Sequence, residues 1–433
     1  MTPSFLLIKL ILLLYKEISN YSYKFMRKIL NYALYDFANS SFTTIIITFI
    51  FSTYFAQQIV KDPILGQSYW GWAIGVSGFA VAVIGPFLGA ISDKKNLKIT
   101  FLRTFSLLCI ILTCLLWFAK PSEDYIFFTL IIVVAANFFY ELSLLFYNAL
   151  LKTVSAEKNL GKSSGASFAL GYLGGILVLL LAIKLFIDTE NPIFGLKKEN
   201  YENVRAISFF VSLWFLIFSI PLLISAKKTL IQTKSEMGLF SQIQKLVWDK
   251  GLKKIGIFLI ARMLYADGLN AIIVMGGIFA VGVFQLSIKE LLQLSILMNI
   301  SAVIGAIIGG YFNDLLGSKK IIVLSLLGII ISSILILFSF SKMYFLIFAT
   351  INGLFIGPIQ SASRVVISKM LINEDQSKGF GLFATSGKLT SFLGPVLVST
   401  LTFVSGSQRI GFSAAIFLLI IGLILLFKIK NLD

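Results

Sequence analysis

The chain consists of about twelve apolar runs of roughly 20 residues each, separated by short polar segments. They fall near 32–58, 69–91, 98–118, 124–149, 164–187, 206–226, 254–284, 288–313, 320–340, 342–367, 379–403 and 410–428. Runs of that length fit the hydrocarbon thickness of a bilayer. No water is available there, so every backbone N–H and C=O needs an internal partner, and only helices or closed barrels can span. The runs do not alternate apolar with polar, so helices are predicted. Composition agrees: 58% of residues are hydrophobic and 13% charged, whereas a soluble domain carries roughly half and about 25%.

The formal charge of +17 does not imply a nucleic-acid partner. The cations lie in short clusters between apolar runs, which is the pattern of membrane topology. Most of the 37 lysines and arginines fall in alternate loops, such as Lys94, Lys95 and Lys98, or Lys227, Lys228 and Lys234. The opposite loops hold fewer, among them Lys61, Lys120, Lys184, Lys197, Lys198, Arg205 and Lys289. Both termini are therefore predicted on the cytoplasmic side. Cys109 and Cys114 share one run, which argues against a structural disulfide. No histidine is present, which removes histidine proton relays and histidine-ligated metals. No phosphate-binding Gly-x-x-x-x-Gly-Lys-Ser/Thr loop occurs, so neither cofactor nor metal is expected, and no enzyme activity.

Residues 1–27 form an N-terminal segment that is apolar in part but too short to span. It reads equally as a membrane-surface helix or as sequence preceding a true start at Met26. Residues 28–226 then hold six runs, 227–253 form a basic cytoplasmic linker, and 254–433 hold six more. The two sets repeat each other. Leu34-Tyr35-Asp36-Phe37-Ala38-Asn39 in the first run matches Leu264-Tyr265-Ala266-Asp267-Gly268-Leu269-Asn270 in the seventh. Gly89 and Asp93, then basic residues, match Gly310 and Asp314, then Lys319 and Lys320. Gly165 and Gly171 match Gly381 and Gly387. Two parallel six-helix bundles joined by a cytoplasmic linker are the architecture of the major facilitator superfamily, which binds solute between the halves near the midplane.

Four segments carry a closer resemblance. Residues 31–42 (NYALYDFANSSF), 261–270 (ARMLYADGLN), 357–364 (GPIQSASR) and 380–388 (FGLFATSGK) resemble signatures of the autophagy-related vacuolar effluxer family and its bacterial relatives. The resemblance covers about residues 28 to 428. It implies a transporter, and amino acids as one class of solute, since fungal members are implicated in amino-acid efflux. The bacterial members imply a place in the cytoplasmic membrane.

Ionisable residues inside spans are costly, so each is a candidate for function. Asp36 and Asn39 share a helix face, as do Asp267 and Asn270. They suit a substrate ammonium or a coupling proton; the alternative for Asp36 is a cap or gate near the cytoplasmic end. Asn137 and Glu141 lie on one stripe of the fourth span, lining a cavity or holding the bundle by interhelical hydrogen bonds. Arg262 fits either a substrate carboxylate or a structural ion pair. Gln360, from the tenth-span signature, and Lys388, inside the eleventh span, complete the candidate substrate or coupling set. Tyr35, Tyr140, Tyr147 and Tyr265 are candidate cavity aromatics. Asp93, Lys94, Asp314 and Arg364 are candidate gate residues, forming and breaking charge pairs as the halves rock; plain helix capping is the alternative for the aspartates.

The expected function is alternating-access transport of a small polar solute by a monomer in contact with membrane lipid, with proton coupling as an option. A non-transporting sensor or scaffold, or a facilitator of sugars or other metabolites, is the competing reading.

Overall fold

The computed structural model describes residues 27–150, 154, 160–188, 195–225, 254–370 and 392–429. Its secondary structure is helical throughout: α1 (Arg27–Ile59), α2 (Pro63–Lys95), α3 (Lys98–Leu115), α4 (Ile126–Ala149), α5 (Leu160–Ala182) and α6 (Glu202–Ser225). There follow α7 (Lys254–Phe284), α8 (Ile288–Leu316), α9 (Ser318–Phe338), α10 (Lys342–Met370), α11 (Leu393–Ser405) and α12 (Gln408–Phe427). Eleven of these are long and apolar enough to cross a bilayer. The described part of α11 is 13 residues long, and the beginning of the span expected at 379–403 lies outside the described residues. The linker expected at 227–253 also lies outside them, as do residues 1–26.

Local chemistry marks the helix ends. Asp62 caps α2, its carboxylate accepting from the N–H groups of Ile64 and Leu65 at 2.8 and 2.9 Å, and Pro63 occupies the first turn, where its missing N–H costs nothing. Asn96 stops α2 in the left-handed region at φ 53°. Ser287 and Glu290 form a reciprocal capping box at the start of α8.

The packing repeats with a period of six helices. In the first set α3 packs on α4, α2 on α4, α3 on α6, and α1 on α6; in the second α9 packs on α10, α8 on α10, α9 on α12, and α7 on α12. The two sets meet through α2 with α11, α5 with α8, and α1 with α7. Exchanging the sets maps the first two of these contacts onto each other. A matching bond occurs in each set: Tyr35 on α1 donates to Ser143 on α4 at 3.1 Å, and Tyr265 on α7 meets Ser363 on α10 at 2.8 Å. The duplicated Leu-Tyr motif thus makes duplicated structure.

The α1–α7 contact is close because Gly277 has no side chain. A Cβ there would penetrate the Thr48 carbonyl. Gly71 plays the same part where α2 meets Ser399 of α11. Small residues of this kind let membrane helices approach to backbone distance.

Candidate functional site

Part of α1 winds as a π-helix, Phe42–Phe49, closed by the N–H of Ile50 bonding to the carbonyl of Ile45. Such wide turns are rare and concentrate at functional sites. Here the segment carries Thr43, Ile47 and Thr48 into a small cavity between the two helix sets. Three more helices each supply a stripe at helical spacing: Ile74 and Gly78 from α2, Asn137 and Glu141 from α4, and Asn270, Ile273 and Val274 from α7. The cavity is about 60 Å³.

Three of the candidate residues therefore converge on one space. Asn137 is buried and held in place, donating to Ser77 Oγ at 2.6 Å; Ser77 donates in turn to the Ile74 carbonyl at 2.8 Å. Glu141 brings a carboxylate and Asn270 a carboxamide from the other helix set. The two threonines add hydroxyl-bearing side chains, and four of the ten wall residues are isoleucine or valine. This wall can hydrogen-bond a small polar solute and bind a positive group while enclosing an aliphatic portion.

Asp36 and Asn39 lie two turns and one turn before Thr43 on α1, at the spacing of one helix face. Asn39 donates to Asp36 Oδ1 at 3.3 Å, and Tyr140 donates to the Asn39 carboxamide oxygen at 3.5 Å. Tyr140 precedes Glu141, so this pair touches the cavity helix one residue away. Tyr35 is fully buried and also meets Ser106 at 2.6 Å. Tyr147 stacks on Tyr32 and Tyr35, ring centroids 4.1 and 4.7 Å away, and donates to the Tyr32 carbonyl at 3.0 Å. All four candidate tyrosines are buried, and the bonds described for their hydroxyls stay within their own helix set. Asp267 is buried on α7, its carbonyl in the path of any Cβ at Gly394 of α11. Arg262 on α7 and Gln360 on α10 are half-buried. The side chains of Asp93, Lys94, Asp314 and Arg364, and the whole of Lys388, lie outside the described residues.

Beyond the cavity, at the Gln67 end of α2, a buried polar clamp joins the two sets. Gln67 donates to Thr402 Oγ1 of α11 at 2.9 Å and accepts from Gln408 Nε2 of α12 at 2.8 Å. Ser68 donates to the Ser399 carbonyl at 3.3 Å. At the same end Lys289 of α8 pairs with Asp188, just past α5, at 3.0 Å. Sequence reasoning missed the clamp and the two threonines. Gln67 and Gln408 are polar residues at the mouths of apolar runs, where nothing local distinguishes a contact with the other half from contact with water.

The family model for "Vacuole effluxer Atg22 like" proteins matches residues 58–160 and 152–431. The chain belongs to that family. It is a multi-pass membrane transporter of the major facilitator type, as its relatives also indicate. The MFS-type transporter YxiO of Bacillus subtilis is 25% identical over 416 residues, covering 93% of this chain and 95% of that protein. Autophagy-related protein 22 of Yarrowia lipolytica is 26% identical over 305 residues, covering 62% of this chain and 50% of the fungal protein. Among solved structures, a D-xylose–proton symporter superposes with a TM-score of 0.67 at 14% identity, covering 94% of this chain and 98% of that one. The human organic anion transporter MFSD10 gives 0.63 at 15% identity, covering 93% and 98%. At such identities the likeness is one of fold. In this Atg22-like chain the first-span signature supplies the Asp36–Asn39 pair, and the seventh-span signature supplies Asn270 on the cavity wall.

Proposed function

We propose that this Atg22-like protein carries a small polar solute, an amino acid or a similar amine, through the cavity between its helix sets by alternating access. One observation carries the reading: Asn137, Glu141 and Asn270, from α4 and α7, meet in a single space that both sets must build together. Ionisable and amide side chains are costly in a bilayer, so a convergent set of them argues for a polar ligand.

The size of that space supports movement. It is about 60 Å³, room for a few waters, whereas sites for small ligands run to about 300–1,000 Å³. The helix sets have to part to admit a solute. The Gln67 clamp closes one end of the path in this conformation, and in this reading it opens as the sets rock. The Lys and Arg bias supports an outer position for that end, and the bacterial relative supports a cytoplasmic membrane. With no nucleotide-binding loop in the sequence, the driving force is a solute or ion gradient. Glu141 is the carboxylate placed to carry a coupling proton, with Asp36 and Asp267 as further candidates.

The test is uptake of a radiolabelled amino-acid mixture into liposomes holding the purified protein, with and without an imposed pH gradient. Accumulation dependent on the gradient and lost in Glu141→Gln supports the reading. Uptake indifferent to the gradient removes proton coupling. A folded protein that binds amino acids in a thermal-shift assay, yet moves none, is a sensor.

A further inference from the structure

A second cavity, of about 400 Å³, lies away from the path between the helix sets. Its described walls are apolar and come from the ends of α3, α5 and α6 and the adjoining loop; they include Trp117, Leu185, Leu196, Ala206, Phe209 and Leu213. Phe209 and Leu213 are 44% and 55% exposed on the outer surface of the bundle. The cavity is therefore a groove that opens sideways, toward the medium surrounding the helices. For a chain that crosses a bilayer, that medium is hydrocarbon. An unfilled groove would forfeit the dispersion contacts of its whole lining.

Its depth is set by the helix ends. α3 finishes in a single turn at Leu116–Phe118, α5 runs out in a short π turn at Ile183–Ile187, and α6 begins at Glu202. The groove thus lies where hydrocarbon gives way to headgroups, a level that tryptophan favours. Cations frame it. Three wall residues are each next in the chain to one: Leu185 follows Lys184, Leu196 precedes Lys197 and Lys198, and Ala206 follows Arg205. Lys184, Lys197 and Lys198 are exposed. Arg205 is buried, donates from Nε to the Trp117 carbonyl at 2.8 Å and lies over the indole ring at 4.7 Å. It thereby braces one wall of the groove. Of the described acids nearby, Asp188 is paired with Lys289 at 3.0 Å, and Glu202 accepts from the Lys197 backbone N–H at 2.9 Å. Glu199 shares the loop and is exposed. Among the described residues, the three exposed lysines form no ion pair.

We propose that this groove is a binding site for one anionic membrane phospholipid. An acyl chain fills the space between Trp117, Leu185 and Leu213, and the phosphate headgroup rests against Lys184, Lys197 and Lys198. Lysine ammonium groups at the interface attract a lipid phosphate by opposite charge. The site is separate from the solute cavity and does not depend on the transport reading.

The full-length protein, purified and stripped of lipid, is incubated with equal amounts of dioleoylphosphatidylglycerol and dioleoylphosphatidylcholine and examined by native mass spectrometry. The expected result is a retained phosphatidylglycerol adduct several-fold more abundant than the phosphatidylcholine one. The Lys184→Gln/Lys197→Gln/Lys198→Gln variant loses that preference but still retains an acyl lipid. Leu213→Trp, which fills the groove, loses the tightly held adduct of either lipid; Ala206→Phe, two turns earlier on the same face of α6, does the same if Leu213→Trp does not elute as a folded species. Equal retention of the two lipids by the unaltered protein overturns the proposal. So does a phosphatidylglycerol adduct that survives filling the groove, since the contact is then with the headgroup alone.

Discussion

Glu141 shares the cavity wall with two carboxamides whose positions are set by the helices that carry them. Replacing it with Gln keeps the shape and removes the charge. Hydrogen bonds to charged groups contribute about 1.5–3 kcal/mol, and about 1.4 kcal/mol is a factor of ten. Glu141→Gln is therefore expected to lower solute uptake by about tenfold or more in liposomes, with thermal unfolding little changed. Tyr35→Phe has the opposite profile. It deletes a hydroxyl bonded to Ser106 and Ser143 inside the first helix set, at a cost of about 0.5–1.5 kcal/mol per bond. Its unfolding temperature in detergent should fall while uptake stays near that of the unaltered protein; the reverse result would place Tyr35 in the transport path. The sequence made Asn137, Glu141 and Asn270 legible as candidates because polar side chains in long apolar runs are conspicuous. It did not show which of them share a space with Thr43 and Thr48. Threonine is unremarkable in such a run, and the π winding of α1 shifts the face that an ordinary helical spacing would present.

At the scale of the helix, the contact between α1 and α7 rests on a single missing side chain. Gly277→Ala drives a methyl group into the Thr48 carbonyl, and overpacking of this kind costs about 1–3 kcal/mol. Its neighbour is the control: a Cβ at Gly276 meets nothing within 4 Å. Gly276→Ala should leave the melting temperature unchanged or raise it, since alanine favours helix over glycine by about 1 kcal/mol. Thermal unfolding of the two variants side by side checks this; equal effects would mean that α1 and α7 do not meet as described. Gly305 and Gly309 lie four apart, the small-residue spacing that marks close helix packing within a membrane span, and they meet Leu354 and Pro358 of α10. Gly277 carries no such local mark, since its partner is a backbone carbonyl more than 200 residues away in the chain.

For the molecule as a whole, the internal repeat was the most informative pattern in the sequence. Copies of Leu-Tyr at 34–35 and 264–265 imply equivalent helices, and the packing pattern repeats accordingly. The contacts between the sets follow no such local pattern. The clamp of Gln67, Thr402 and Gln408 joins residues that only the assembled fold brings together. If the two sets rock about the shared cavity, the distance across the Gln67 end must change. Spin labels at Lys61→Cys and Ser405→Cys, both exposed and in a background lacking Cys109 and Cys114, report that distance by pulsed electron resonance in lipid. Gln67→Ala removes the centre of the clamp. A longer-distance population is expected, and it grows in Gln67→Ala relative to the unaltered clamp. One narrow distance, identical with and without Gln67, would contradict the rocking.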